Sequence, residues 1–262
     1  MQDLKISLVQ IDQVWEDKAA NFALYEEAFA QLPETDLILL PEMFQTAFTM
    51  NTAMAEPFEK SESIAWLQKK SSELKSAIFA SLIIEDHGNL FNRGVFVTPN
   101  GDISVYDKRK SFGLAEEDLY FSAGEKRQIV DYLGWKIQLQ ICYDLRFPEI
   151  LRNNWHPSNQ SADYDVLVFV ANWPAKRKTH WQALLKARAI ENQCYVAAVN
   201  RIGSDRMNLT YDGDSVIIDP LGNTLLELKE KDSNGTLQLS KKIVHETRVA
   251  LPFLKDQLPK YS

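Results

Sequence analysis

Two stretches of the chain, DLILL at 36–40 and DVLVFV at 165–170, are apolar without a break after their first residue. A strand with one wet face alternates apolar and polar side chains, whereas a continuous run marks a strand buried on both faces. Such a strand needs protein packed above and below its sheet. These segments therefore commit the chain to sheets that are covered, which is an α/β arrangement.

The intervening sequence supplies the covers. Leu4–Ile11 alternates as a strand, and Asp17–Leu32 follows with a helical period through Phe22, Leu24, Tyr25, Ala28 and Phe29. Thr46–Glu56 reads as loop, Phe58–Leu74 as helix and Ala77–Glu85 as strand. Phe91–Thr98 and Ile103–Tyr106 form a hairpin about Pro99-Asn100-Gly101-Asp102. Ser111–Lys126 lacks periodicity and reads as a loop at the mouth of a site. Ile129–Ile141 is a second hairpin turning at Leu133-Gly134, and Pro148-Glu149 predicts the start of a helix. Thr179–Asn192 is helical, Tyr195–Asn200 a strand, Asp214–Asp219 with Thr224–Leu228 a hairpin, and Gly235–Leu239 a late strand. From about 241 the tail is a short helix or an arm. With no linker to divide it, the chain is expected to form one domain over 1–262, a layered sandwich of mixed sheets covered by helices.

Composition narrows the function. A net charge of −7 over 262 residues argues against a nucleic-acid or anionic-membrane binder, whose footprint would be basic, and favours small-molecule chemistry. Cys142 and Cys194 have neither CxxC nor Cys/His spacing, so no disulfide scaffold, metal site or cofactor is indicated. The start of the chain lacks a signal-peptide layout and no stretch reaches membrane-spanning length, which makes a cytoplasmic setting the expectation.

Polar residues sit where strands end. Glu42, Lys108, Cys142 and Asn172 each close or follow a predicted strand, and sites in α/β sheets collect beyond the carboxyl ends of strands. Cys142 lies at an elbow in KIQLQICYDLRFPEI, where following N–H groups and a helix N-terminus would lower the thiol pKa and receive an oxyanion. It reads equally as a small core residue. No histidine among His87, His156, His180 and His245 closes a buried strand, so Glu42 is the better candidate base, or else one half of a structural ion pair. Lys108 supports the thiolate and oxyanion, or is a solvated member of the Lys108-Arg109-Lys110 cluster. Asp144, Arg146 and Glu149 read as an ion-pair network fixing the turn; Arg188 and Glu191 pair with each other or with a second subunit; Cys194 reads as core.

LLPEMF around Glu42, YDKRKSF around Lys108 and QICYDLRFPE around Cys142 resemble, in this order, the nitrilase or carbon–nitrogen hydrolase superfamily. ANWPAKRKTHWQALLKARAIENQCYVAAVNRIG and YDGDSVIIDPLGN further resemble its omega-amidase branch, whose enzymes release ammonia from short dicarboxylate monoamides such as 2-oxoglutaramate and succinamate. The resemblance implies a four-layer αββα sandwich that dimerises. It implies Glu42 as general base, Lys108 as oxyanion stabiliser and Cys142 as nucleophile forming a thioester, with the Tyr143 backbone N–H also on the oxyanion. A second glutamate falls on Glu117, with Glu116 as its neighbour alternative. Asn172, Trp173 and Phe48 would line the substrate pocket. Where the family commonly has histidine two residues after the lysine, this chain has Lys110, a cation that would favour an anionic substrate or simply be solvated. A deaminated-glutathione amidase, an N-carbamoyl hydrolase or a nitrilase would use the same three residues. A non-catalytic binding protein and a metal-dependent hydrolase are the readings outside that class.

Overall fold

A computed structural model describes residues 2–229 and 234–257. Along the chain, β1 (Leu4–Val9), α1 (Lys18–Phe29), β2 (Leu37–Leu39), β3 (Glu56–Pro57), α2 (Glu62–Leu74), β4 (Ala77–Asp86), β5 (Asn89–Val97) and β6 (Ile103–Asp107) build the first half. β7 (Ile129–Tyr132), β8 (Trp135–Ile141), β9 (Val166–Ala171), α3 (Lys178–Asn192), β10 (Tyr195–Asn200), β11 (Val216–Ile218), β12 (Thr224–Glu227), β13 (Asn234–Leu239) and α4 (Lys241–Ala250) follow. Among the described residues, no helix is long and apolar enough to cross a membrane.

Two mixed sheets result. The first has order β13-β1-β2-β4-β5-β6, with β3 also on β4, and the second has order β12-β11-β10-β9-β8-β7. Each has a parallel centre, β1-β2-β4 in one and β8-β9-β10 in the other, extended by antiparallel neighbours. Parallel strands need crossovers; α1, α2 and α3 provide three of them, and the connection from β8 to β9 runs through 3₁₀ turns and loop without an α-helix. The apolar run at 36–40 divides between two cores by the strand period of two. Leu37 and Leu39 face the core shared with Ile137, Leu139 and Val168 of the other sheet, while Ile38 and Leu40 face α1 and α2 through Tyr25, Phe29, Ile64 and Leu67. The layers are thus helix, sheet, sheet and helix.

Local chemistry starts the helices near where the pattern places them. The Asp17 carboxylate accepts from the Ala20 N–H at 2.9 Å and the Ser61 hydroxyl from the Ile64 N–H at 3.0 Å, each capping an open first turn. Phe58–Lys60 is a separate 3₁₀ turn, so α2 begins at Glu62 rather than at Phe58. The expected helix at Pro148 does not form as an α-helix: Cys142–Arg146 and Pro148–Ile150 are successive 3₁₀ turns. Proline removes a donor and biases Phe147 to an extended backbone, so the first turn cannot run into the second. The loop at 111–126 carries two short 3₁₀ turns, Gly113–Ala115 and Glu117–Leu119, and the tail from 241 is helical.

Candidate active site

Glu42, Lys108, Cys142 and Asn172 leave β2, β6, β8 and β9 into one cavity of about 710 Å³. At its floor the Lys108 ammonium donates to Glu42 Oε1 at 2.8 Å and to both oxygens of Glu117 at 2.9 Å. Glu117, not Glu116, is the inward glutamate; Glu116 is exposed. Glu42 is completely buried, and its second carboxylate oxygen accepts from the Asn172 backbone N–H at 3.0 Å. The two carboxylates hold Lys108 in its charged form despite burial, and Phe48 lies beneath the ammonium at 5.4 Å. One cation between two anions leaves this floor with a formal charge of −1.

Cys142 takes a left-handed backbone conformation with φ 43°, a strain of roughly 1–3 kcal/mol for a residue with a Cβ. A buried clasp holds it there. Asp144 accepts from the Ile141 N–H at 3.1 Å, the Lys110 N–H at 3.0 Å and the Tyr106 hydroxyl at 2.8 Å, so it ties the cysteine elbow to both sides of Lys108. Burial still pushes the Asp144 carboxyl up to about 6. The thiol lies 3.9 Å from the Asn172 carbonyl oxygen.

The expectation of an acidified thiol is overturned. Burial, reinforced by Glu42, pushes the Cys142 thiol well above its ordinary value, and Lys108 opposes this only in part. The elbow leads into a five-residue 3₁₀ turn with no α-helix dipole behind it. Cys142 therefore rests as a thiol and needs a base at the moment of attack. Its alkylation by iodoacetamide should accelerate about tenfold per pH unit through pH 9, because only the thiolate reacts and its fraction rises with pH below the pKa. A rate that levels off near pH 7 would instead reveal a preformed thiolate.

The expected network of Asp144, Arg146 and Glu149 is also corrected. Asp144 is spent on the clasp, Arg146 stacks over Trp173 at 4.7 Å, and Glu149 pairs with Lys110 at 3.5 Å near the surface. A turn this tight points the three side chains in different directions. Lys110 thereby has its own carboxylate and lies over the Phe147 ring at 4.7 Å. Arg188 and Glu191 pair at 2.9 Å, and Cys194 is fully buried in the core. Phe48, Asn172 and Trp173 all line the cavity. The Trp173 N–H donates to Asn200 Oδ1 at 2.7 Å and its ring N–H to the Arg177 carbonyl at 2.9 Å, which orients the indole.

Three contributors escaped the sequence reading. Asn92 donates to Glu42 Oε1 at 2.9 Å and to Glu117 Oε1 at 3.1 Å, bridging both carboxylates from the middle of β5. Its signal was an amide beside Arg93 inside a strand that is apolar at Phe91 and from Val95 to Val97. Tyr106, the last aromatic of β6, gave no polar signal. Gly124 is the third: a Cβ there would lie 2.2 Å from the Asp107 carbonyl oxygen, while its N–H donates to the Lys108 carbonyl at 2.8 Å. Gly124→Ala must push the backbone that carries Lys108, so turnover should fall at least tenfold with little loss of folded protein. Activity within a factor of two of wild type would contradict that placement.

The carbon-nitrogen hydrolase family model matches residues 5–241. The chain belongs to the carbon–nitrogen hydrolase family. This hydrolase is 39% identical to the omega-amidase YafV of Escherichia coli K12 over 98% of its own length and 97% of that relative's. It is 33% identical to the 2-oxoglutaramate amidase of Bacillus subtilis, covering 91% and 90% of the two chains. Among solved structures, the CN-hydrolase superfamily protein XC1258 of Xanthomonas campestris, described with an arsenic adduct in its active site, superposes with a TM-score of 0.96 at 39% identity over the whole of both chains. Saccharomyces cerevisiae Nit3, at 24% identity and a TM-score of 0.82 over 96% and 95% of the chains, shares the fold.

Proposed function

We propose that the chain is an amidase that hydrolyses the terminal amide of short dicarboxylate monoamides, of the 2-oxoglutaramate and succinamate type, to the dicarboxylate and ammonia. The observation that carries the reading is Lys108 locked between Glu42 and Glu117 on the floor of the cavity that Cys142 lines. The raised thiol assigns the first step to Glu42. Its carboxylate takes the Cys142 proton as Sγ bonds to the amide carbon, and the resulting oxyanion is met by Lys108 and the Tyr143 N–H. Collapse breaks the C–N bond, the proton held by Glu42 passes to nitrogen, and ammonia leaves behind a thioester. Glu42 then takes a proton from water as the oxygen adds to the thioester, and the dicarboxylate departs as Cys142 recovers its proton. Glu117 keeps Lys108 aimed and charged throughout.

The omega-amidase and 2-oxoglutaramate amidase relatives support this substrate class. A reducing, cytoplasmic compartment suits a mechanism that needs a free thiol, and a homodimer remains the expected assembly, measurable by sedimentation. The deciding experiment is ammonia release from 2-oxoglutaramate, succinamate and glutaramate beside a nitrile and an N-carbamoyl amino acid. Turnover of the monoamides supports the proposal. Reaction of the nitrile alone, or carbon dioxide released with ammonia from the carbamoyl compound alone, would move the chain to a nitrilase or an N-carbamoyl hydrolase. Glu42→Gln should lower kcat about 10³- to 10⁴-fold, since the amide cannot take the thiol proton, with KM changed far less. A kcat within tenfold of wild type would remove Glu42 from the base role.

A further inference from the structure

We infer that Arg188 is a positioning residue for Cys142, holding from α3 the turn that follows the nucleophile. The inference rests on the reading of Cys142 as the nucleophile of an amidase, and assigns to α3 a part in presenting it. The connection from β8 to β9 carries only the short 3₁₀ turns Cys142–Arg146 and Pro148–Ile150. A residue in the left-handed region opens the first and a proline opens the second. Short 3₁₀ turns have poorer hydrogen-bond geometry than an α-helix and no ladder to fix them, so this connection needs partners outside itself.

The Asp144 clasp is one, on the side of β6. From α3, the Arg188 guanidinium donates from Nε at 3.1 Å and from Nη2 at 2.8 Å to the Leu145 carbonyl oxygen. Its Nη1 is left for Glu191, at 2.9 Å. Arg188 is 4% exposed and Leu145 fully buried, so water does not compete at this contact. Two charge-assisted bonds to one carbonyl fix the peptide plane that carries it. One turn along α3, Asn192 does the same for the far end of the connection. Its Oδ1 accepts from the Asn153 N–H at 3.0 Å and its carbonyl from the Asn153 side chain at 2.8 Å, while its own Nδ2 donates back to the Arg188 carbonyl at 3.0 Å.

Leu145 is three residues beyond Cys142, and the peptide units between them include the Tyr143 N–H that meets the oxyanion in the proposed mechanism. A shift of the Leu145 carbonyl passes along the turn to that N–H and to the sulfur. A misplacement of about 1 Å at a reacting centre can cost about 10²-fold in rate. Glu191 separates this role from a merely structural one. It pairs with Arg188 and, at 3.4 Å, with Arg152, and it does not line the cavity.

The test measures kcat and KM for wild type, Arg188→Met, Arg188→Lys and Glu191→Gln on whichever of 2-oxoglutaramate, succinamate and glutaramate wild type turns over fastest. Thermal melts by circular dichroism and the rate of Cys142 alkylation by iodoacetamide are taken on each. Arg188→Met, which keeps an unbranched stem and removes the donors, should lower kcat about 10²-fold with KM changed by less than about threefold. Its alkylation rate should stay within about threefold of wild type, because alkylation needs the thiol and not the oxyanion donors. Arg188→Lys restores one charged donor and should recover about tenfold of the loss in kcat. Glu191→Gln breaks the ion pair, keeps the grip on Leu145 and should stay within about twofold of wild type. Equal losses in Arg188→Met and Glu191→Gln assign the effect to the ion pair and refute the positioning role. A kcat for Arg188→Met close to wild type, or a loss that only follows the fraction of folded protein, refutes it too and leaves the proposed function standing. If Arg188→Met melts below the assay temperature, Arg188→Lys decides: folded with kcat about tenfold down it supports the role, and with wild-type kcat it refutes it. A wild type that turns over none of the three amides overturns the amidase reading itself, and the positioning role with it.

Discussion

Cys142→Ala is expected to remove amide turnover almost completely, by about 10⁵-fold or more in kcat, the scale seen when a hydrolase loses the nucleophile of a cooperating set. The magnitude follows from what the side chain does. Glu42 and Lys108 can still move a proton and stabilise an oxyanion, but with no thiol there is no thioester, and a one-step attack by water must replace two easier steps. The fold should tolerate the change. Cys142 lines the cavity, its backbone is held by the Asp144 clasp rather than by the sulfur, and alanine at φ 43° is no more strained than cysteine. Cys142→Ser isolates the chemistry further, because a hydroxyl offers an oxygen to the same base but is a much harder proton to remove. It should retain less than one part in 10³ of wild-type activity. Ammonia release and circular dichroism on the three proteins check this, with intact-mass detection of an acyl adduct during wild-type turnover. Ammonia release by Cys142→Ala at a tenth of the wild-type rate would place the nucleophile elsewhere.

Lys108→Met should be the most destabilising single change at the site, costing about 3–5 kcal/mol at pH 7. Methionine nearly matches the lysine stem in volume, so the cost is electrostatic. It leaves Glu42 and Glu117, both buried, facing each other with only Asn92 between them. Two buried carboxylates at this separation cannot both stay ionised, and the folded variant should take up a proton that its unfolded chain does not hold at neutral pH. Stability falls with rising pH wherever the folded state binds more protons. The deficit relative to wild type should therefore shrink between pH 7 and pH 5, while turnover stays at least 10²- to 10³-fold down for want of the oxyanion partner. Urea melts at the two pH values decide the matter. A variant as stable as wild type at pH 7 would mean that the two carboxylates are far better solvated than their burial implies.

Much of this was written in the order of residues. The apolar runs at 36–40 and 165–170 required sheets covered on both faces, because no one-sided sheet accepts Ile38 and Leu39 together. Strand-end placement of Glu42, Lys108, Cys142 and Asn172 made one site of four distant positions, since β2 and β6 of one sheet and β8 and β9 of the other all end at the same cavity. Asp144 and Arg146 show the opposite case. Acid and base four residues or fewer apart look paired in sequence, yet a 3₁₀ turn aims one at Tyr106 on the neighbouring sheet and the other at Trp173.

The thiol illustrates the same division more sharply. Residue types determined the chemistry available, a cysteine with a glutamate and a lysine, and local pattern determined that the cysteine ends a strand. The protonation state was a property of the assembled site, because it depends on how much water reaches Sγ and on the balance between Glu42 and Lys108 across two sheets. Period-two patterning is local and is read directly from neighbours in the chain. Burial, the Asn92 bridge and the stacking of Arg146 are set by residues dozens of positions apart, and only the packed layers decided them.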